Sequence, residues 1–127
     1  MRGRRRAGRG HARPAVRMLE PALLLLLHHG RAHGYTLLEQ LEDFGLAQLD
    51  PSTVYRTLRD MEAKGWIASS WDNEQSQGPP RRVYRISALG DEMLAVWAQD
   101  LEDNRARIDY LLRVYYRHMR EGEGEHH

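Results

Sequence analysis

The stretch DPSTVYRTLRDMEAKGWI, residues 50–67, decides the fold. At ~100° per residue, Val54, Thr57, Leu58 and Met61 gather on one side of a helix. Ser52, Tyr55, Arg56, Arg59 and Ala63 gather on the other. Asp50 is a good N-cap, and Pro51 suits the first helical position, where its missing N–H costs nothing. Gly65 stops the helix. The outward face thus carries hydroxyls and cations at an N-terminal end where the macrodipole already favours an anion. Cations there add little to the helix itself. A negative partner outside the helix would account for them.

The elements around this helix follow from periodicity and breakers. Residues 18–29 read as a first helix, apolar nearly all round and therefore covered on several sides. A second helix, 35–44, carries the stripe Tyr35, Leu38, Leu41 and ends at Gly45. After the quoted helix come two alternating segments rich in aromatic and β-branched residues, WIASSW (66–71) and RVYRIS (82–87). The polar stretch between them contains Gly78-Pro79-Pro80 and reads as a long hairpin tip. From Ser87, an acceptable N-cap, a last helix runs to about His118, on the order of 45 Å. Its seam Trp97, Leu101, Asn104, Ile108, Leu111, Tyr115 is spaced as a heptad. A helix with such a seam is incompletely buried in one chain, so pairing with a second chain is expected. Asn104 would set the register of that pairing.

The expected fold is therefore mainly α with a small β-hairpin. The domain reading is a disordered Arg/Gly-rich arm (1–17), a winged helix-turn-helix domain (18–86), a C-terminal dimerisation helix (87–118) and an acidic tail (119–127). In a winged helix-turn-helix the third helix enters the DNA major groove.

Composition narrows the functions. The chain has 127 residues and a formal net charge of only +1. Residues 1–17 hold seven arginines and no acid. Removing those seven from 19 basic residues leaves 12 against 18 acidic, so a basic arm sits on an acidic body. Without cysteine, disulfides, zinc–thiolate sites and cysteine nucleophiles are excluded, which fits a reducing cytoplasm. The run PALLLLL is far short of the ~20 residues that span a bilayer, and no small-residue cleavage site follows it. No glycine-rich phosphate loop or nucleophile–base arrangement appears, so no enzyme and no cofactor is expected. His28, His29 and His33 lack the i, i+4 spacing of a helical metal pair, and no metal site is expected.

Three segments in order, HGYTLLEQL (33–41), LDPSTVYRTLRDMEAKGWI (49–67) and GPPRRVYRIS (78–87), resemble the PadR family of transcriptional regulators. The resemblance covers about residues 18–118. Ser52, Thr53 and Tyr55 match the family's pattern ahead of and at the tyrosine, whereas Arg56 stands where proline often does. The single C-terminal helix is similar to the short subfamily, which implies dimerisation through that helix and, as the common mode, repression. Some members of that subfamily bind flat apolar molecules between paired tryptophans, which implies an effector slot at Trp97, although a seam tryptophan more often serves simply as interface core.

The residues expected to meet DNA are Ser52, Thr53, Tyr55, Arg56, Arg59, Arg81 and Arg82, with Arg4, Arg5 and Arg6 from the arm. The hydroxyls would position the helix on phosphates. Arg56 and Arg59 are the base readers, since a guanidinium grips guanine O6 and N7 in a bidentate pair. Tyr55 half-buried against the wing, and Arg81 and Arg82 as a solvated strand end, remain open alternatives. The arm's arginines suit phosphates or a narrow minor groove. The expected partner is a pseudo-palindromic operator in double-stranded DNA bound by a homodimer, with no membrane involved. Two rivals stay open: a winged-helix module docking an acidic protein, and an RNA-binding accessory factor using the arm.

Overall fold

The computed structural model describes the backbone of residues 2–46, 48–72 and 80–126, with side chains described from residue 16 to residue 122 within those ranges. The elements are α1 (Arg2–His29), β1 (Ala32–His33), α2 (Gly34–Gln40) continued by a 3₁₀ turn (Leu41–Phe44), α3 (Pro51–Ala63), β2 (Ile67–Asp72), β3 (Arg81–Ile86) and α4 (Ala88–His126). The chain divides into two units, Met1–Leu94 and Ala95–His127. The first holds the helical triad and the sheet. The second is the bulk of α4.

α3 forms where its sequence pattern puts it. Asp50 caps it, with its carboxylate accepting the Ser52 amide at 3.4 Å. Its end is a Schellman turn: Gly65, at φ +81°, donates to the Glu62 carbonyl, and the Trp66 amide donates to the Met61 carbonyl. Gly45, at φ +73°, closes the 3₁₀ turn in the same way through Glu42 and Leu41. Only glycine holds this left-handed geometry without strain.

The core of the first unit is aliphatic. Leu19, Leu23, Leu24 and Leu27 of α1 are buried together with Leu37, Leu41, Val54, Leu58, Met61 and Ile67. Thr57, at the margin of α3's inward face, is half-buried. The α2 stripe differs from the expectation of Tyr35, Leu38 and Leu41. Gly34, Leu37 and Leu41 are the inward residues, Leu38 is half-buried and Tyr35 is exposed. With adjacent leucines at 37 and 38, spacing alone leaves the helix phase open by one residue. Packing resolves it, burying Gly34, Leu37 and Leu41 and leaving Tyr35 at the surface.

Two strands were expected, and three are present among the described residues. β3 is central, in the order β1-β3-β2, with both pairings antiparallel. β1 is two residues long, Ala32 opposite Tyr84 and His33 opposite Val83. So short a strand has no alternation to read. Residues 73–79 of the expected hairpin tip lie outside the described residues.

The ends of the outer helices also differ from the sequence reading. α1 is carried back from Met18 to Arg2, through the segment read as a disordered arm. Its arginines and alanines favour helix and its buried half supplies the nucleus, while Gly3, Gly8, Gly10 and Pro14 each oppose the extension. α4 likewise runs beyond His118 to His126, through the segment read as a separate tail.

α4 is joined to the sheet by a compact knot of hydrogen bonds. The Ser87 hydroxyl caps the helix by accepting the Gly90 amide at 3.0 Å, and it lies 2.6 Å from the Gly65 carbonyl and 2.9 Å from that of Trp66. Gly90 is buried against this turn. A methyl there would overlap the Trp66 carbonyl oxygen and come 2.7 Å from Ile86 Cγ1. Gly90→Ala should therefore lower stability by about 1–3 kcal/mol, the usual cost of overpacking, despite alanine's better helix propensity. Urea denaturation of the two proteins measures it.

Candidate nucleic-acid interface

The inward residues of α3 leave Ser52, Arg56 and Arg59 exposed. Ser52 is already engaged: its hydroxyl donates to the Asp50 carboxylate at 2.9 Å. The proton that a phosphate would need is thus committed to the cap in the free protein. Thr53 is half-buried, and its carbonyl accepts the Thr57 hydroxyl at 2.9 Å. Arg56 and Arg59 make no hydrogen bond or ion pair with the described residues.

Tyr55 is half-buried; it lies against Gly34 at the start of α2, and its phenol also acts on Tyr84 of β3. A Cβ at position 34 would approach the Tyr55 ring at Cε1 to 2.6 Å and the phenol oxygen to 2.9 Å. The glycine of the HGY segment is therefore required by the tyrosine of α3. This contact locks α2 to α3, the two helices whose relative angle defines a helix-turn-helix.

The base of the wing holds two arginines laid on aromatic rings. The Arg81 guanidinium sits 5.0 Å from the centre of the Tyr35 ring and donates to its hydroxyl at 3.0 Å. Tyr35 in turn stacks on His33 at 5.9 Å, and His33 Nε2 lies 3.0 Å from Asp72 Oδ2. On the other side of the sheet, Arg82 lies 4.6 Å over Trp71, its antiparallel partner, and donates to Ser69 Oγ at 2.7 Å. Arg85 donates to Ser70 Oγ at 2.7 Å. Trp71 is 59% exposed, and Arg81, Arg82 and Arg85 are exposed.

Tyr84 lies at the centre of this surface. It is buried, and burial is the main reason its phenol is held above the ordinary value of 10.0. Arg82 opposes that rise, Glu62 and Tyr55 add to it, and Arg59 opposes it again. The same phenol therefore senses Arg82 of the wing and Glu62 and Arg59 of α3, so charges of both signs from the two elements meet at Tyr84.

The residues expected to meet DNA thus fall into three groups. Arg56, Arg59, Arg81 and Arg82 are exposed on the first unit. Ser52 and Tyr55 have intramolecular roles in the cap and the α2 contact, and Thr53 is half-buried with its hydroxyl making no hydrogen bond to the described residues. The side chains of Arg4, Arg5 and Arg6 lie outside the described residues. In the second unit, Trp97 and Leu101 are half-buried, whereas Asn104, Ile108, Leu111 and Tyr115 are exposed. Sequence reasoning missed Tyr35, Ser69 and Trp71 as arginine supports. The available signal was strand alternation, which pairs Trp71 with Arg82 once the register is known.

Residues 23–96 match the model of the transcriptional regulator PadR-like family. Among solved structures, a PadR family transcriptional regulator from Eggerthella lenta is 26% identical with a TM-score of 0.72, the match covering 88% of this chain and 97% of that one. A PadR family transcription regulator from Clostridium difficile is 25% identical, TM-score 0.67, covering 75% and 98%. A PadR-like transcriptional regulator from Bacillus cereus is 25% identical, TM-score 0.66, covering 75% and 91%. No curated protein matches the chain.

The raised Tyr84 pKa has a consequence for stability. Above pH 10.0 the unfolded chain sheds this phenolic proton before the folded one does. The folded state then binds more protons, so stability falls as pH rises from there. Tyr84→Phe should remove part of that alkaline loss, and denaturation midpoints of both proteins on either side of pH 10.0 check it.

Proposed function

We propose, because this chain belongs to the PadR-like family of transcriptional regulators, that it is a sequence-specific double-stranded DNA-binding regulator, acting as a dimeric repressor. The observation that carries this reading is the pairing of two exposed arginines on α3, Arg56 and Arg59, with exposed wing arginines on the same unit. A guanidinium with no internal partner loses nothing when it exchanges water for a base edge or a phosphate. Arg56 and Arg59 are assigned to base reading and Arg81 and Arg82 to the backbone beside it. Ser52 and Tyr55 act chiefly by holding α3 in position, Thr53 remains a hydroxyl contact to phosphate, and Arg4, Arg5 and Arg6 are a supplementary electrostatic contact. No described helix is long and apolar enough to cross a membrane.

The homodimer reading rests on α4. Within the second unit Ile108 is 47% exposed, Leu111 66% and Tyr115 52%, a run of large apolar surface that one chain leaves in water. Pairing two such helices buries it, with Leu101 and Asn104 continuing the seam. A dyad between two α3 helices then implies a pseudo-palindromic operator, its half-sites centred about one helical turn, ~34 Å, or a multiple apart. Release from DNA by a flat apolar effector is assigned to Trp97, whose paired rings would form a stacking slot on the dyad.

Selection of bound fragments from random duplex DNA tests the central reading. An enriched inverted repeat is expected, and retention without enrichment would favour the protein-interaction alternative. On the selected sequence, Arg59→Ala should cost ~1–3 kcal/mol and relax the preference at one base position. Uniform weakening across all sequences would reassign Arg59 to a phosphate.

Ile108→Glu should convert dimers to monomers in sedimentation, and a persisting dimer would move the interface elsewhere. In the wild-type dimer, quenching of tryptophan emission by planar aromatic dyes should fall in Trp97→Phe to what Trp66 and Trp71 alone give, and unchanged quenching would remove the slot.

A further inference from the structure

Arg82 is held in a way that the DNA-binding reading does not require. Its Nη1 donates to Ser69 Oγ at 2.7 Å, and the Ser69 hydroxyl meets both oxygens of Glu62, at 2.8 and 3.0 Å. The direction of this chain is fixed by chemistry. A carboxylate only accepts and a guanidinium only donates, so the serine proton must point to Glu62 and its lone pair to Arg82. Glu62 belongs to α3, Ser69 to β2 and Arg82 to β3. One hydroxyl therefore joins the helix to both long strands of the wing.

The interposed serine has an electrostatic effect that a direct ion pair would not have. A carboxylate gripping the guanidinium would occupy its fork and cancel its charge. Among the described residues no carboxylate lies within ion-pair distance of Arg82. Glu62 instead polarises Ser69, and the cation keeps most of its N–H donors. The flat face of the guanidinium is meanwhile covered by Trp71 at 4.6 Å, a contact that consumes no donor at all. The result is an exposed arginine oriented by two neighbours and still unsatisfied as a hydrogen-bond donor.

We propose that Ser69 is the positioning residue of the wing, holding Arg82 against Trp71 so that its remaining donors meet a DNA phosphate in fixed register with α3, with Glu62 anchoring it to that helix. This rests on the DNA-binding reading above and adds what sets the wing's contact. Its physical benefit is pre-organisation. An arginine free to sample its rotamers loses that freedom on binding, whereas this one has largely lost it already. Freeing the side chain should then weaken binding by roughly twofold to tenfold, the ordering cost of one long side chain.

The test uses the full chain and random-sequence duplex DNA, titrated at several salt concentrations. Ser69→Ala should weaken binding by that factor, Ser69→Thr should restore it, and Arg82→Ala should lower the salt slope by about one contact. The deciding comparison is Ser69→Ala made in the Arg82→Ala background, where it should have no further effect. A role in wing folding alone would persist there, and that persistence would overturn the proposal. So would a Ser69→Ala protein that binds like the wild type.

Glu62→Gln, which keeps an acceptor but removes the charge, gives an intermediate loss if the chain of hydrogen bonds is as described. Full wild-type affinity in that variant would remove Glu62 from it. Guanidinium NMR of the free protein reads the same restraint without DNA: Arg82 rotation should be slow in the wild type and fast in Ser69→Ala. Failure of the wild-type chain itself to retain duplex DNA would defeat the DNA reading and this proposal with it. Normal wild-type binding without coupling between Ser69 and Arg82 would defeat this proposal alone.

Discussion

Val54, Leu58 and Met61 keep 1% or less of their surface in the folded chain. Each sits about one helical turn from the next, so their burial fixes the rotation of α3 about its own axis. The matching surface comes from α1, whose Leu19, Leu23, Leu24 and Leu27 are equally buried. Truncating a leucine in such a core costs on the order of 2–5 kcal/mol, a large part of the stability of a domain this size. The rotation of α3 is therefore held by terms far larger than any single polar contact at its surface. Arg56 and Arg59 face outward because the aliphatic face cannot.

Around that fixed helix, the remaining constraints are local and mostly steric. Gly34 lets the Tyr55 ring lie against the start of α2, and Gly90 lets the first turn of α4 approach the Trp66 carbonyl. Two left-handed glycines, Gly45 and Gly65, end the helical segments on either side of the α3 loop and turn. None of these contributes much attraction. They permit close approach, and the apolar core supplies the energy that makes the approach worthwhile.

The polar surface follows a different economy. Arg81 and Arg82 are laid on Tyr35 and Trp71, and each gives one hydrogen bond to a neutral hydroxyl. Contacts of this kind orient a cation at modest cost and leave it charged. A wing built on arginine–carboxylate pairs would be neutral at the place where a regulator of DNA needs positive potential. For a member of the PadR-like family, whose body carries an acidic excess once residues 1–17 are set aside, concentrating exposed arginines on one surface matters more than net charge.

The amino-acid sequence by itself determined the four helices, the two long strands and their order. Asp50-Pro51, Gly45 and Gly65 mark helix ends through capping chemistry that acts over a few residues, and the period of Val54, Leu58 and Met61 states which side of α3 goes inward. The alternating segments 66–71 and 82–87 lie within one residue of β2 and β3. Such features are legible because each cause sits within a turn or two of its effect. What only the tertiary structure decided are the contacts between segments. The two-residue β1 exists solely because β3 offers it an edge. The phase of α2, ambiguous between Leu37 and Leu38, is resolved by packing that exposes Tyr35 to receive Arg81 from 46 residues away. The Glu62–Ser69–Arg82 chain requires α3, β2 and β3 to meet. A side chain's period is written in its neighbours along the chain, but its partner across space depends on the register and rotation of two elements together, and those are fixed only when the core closes.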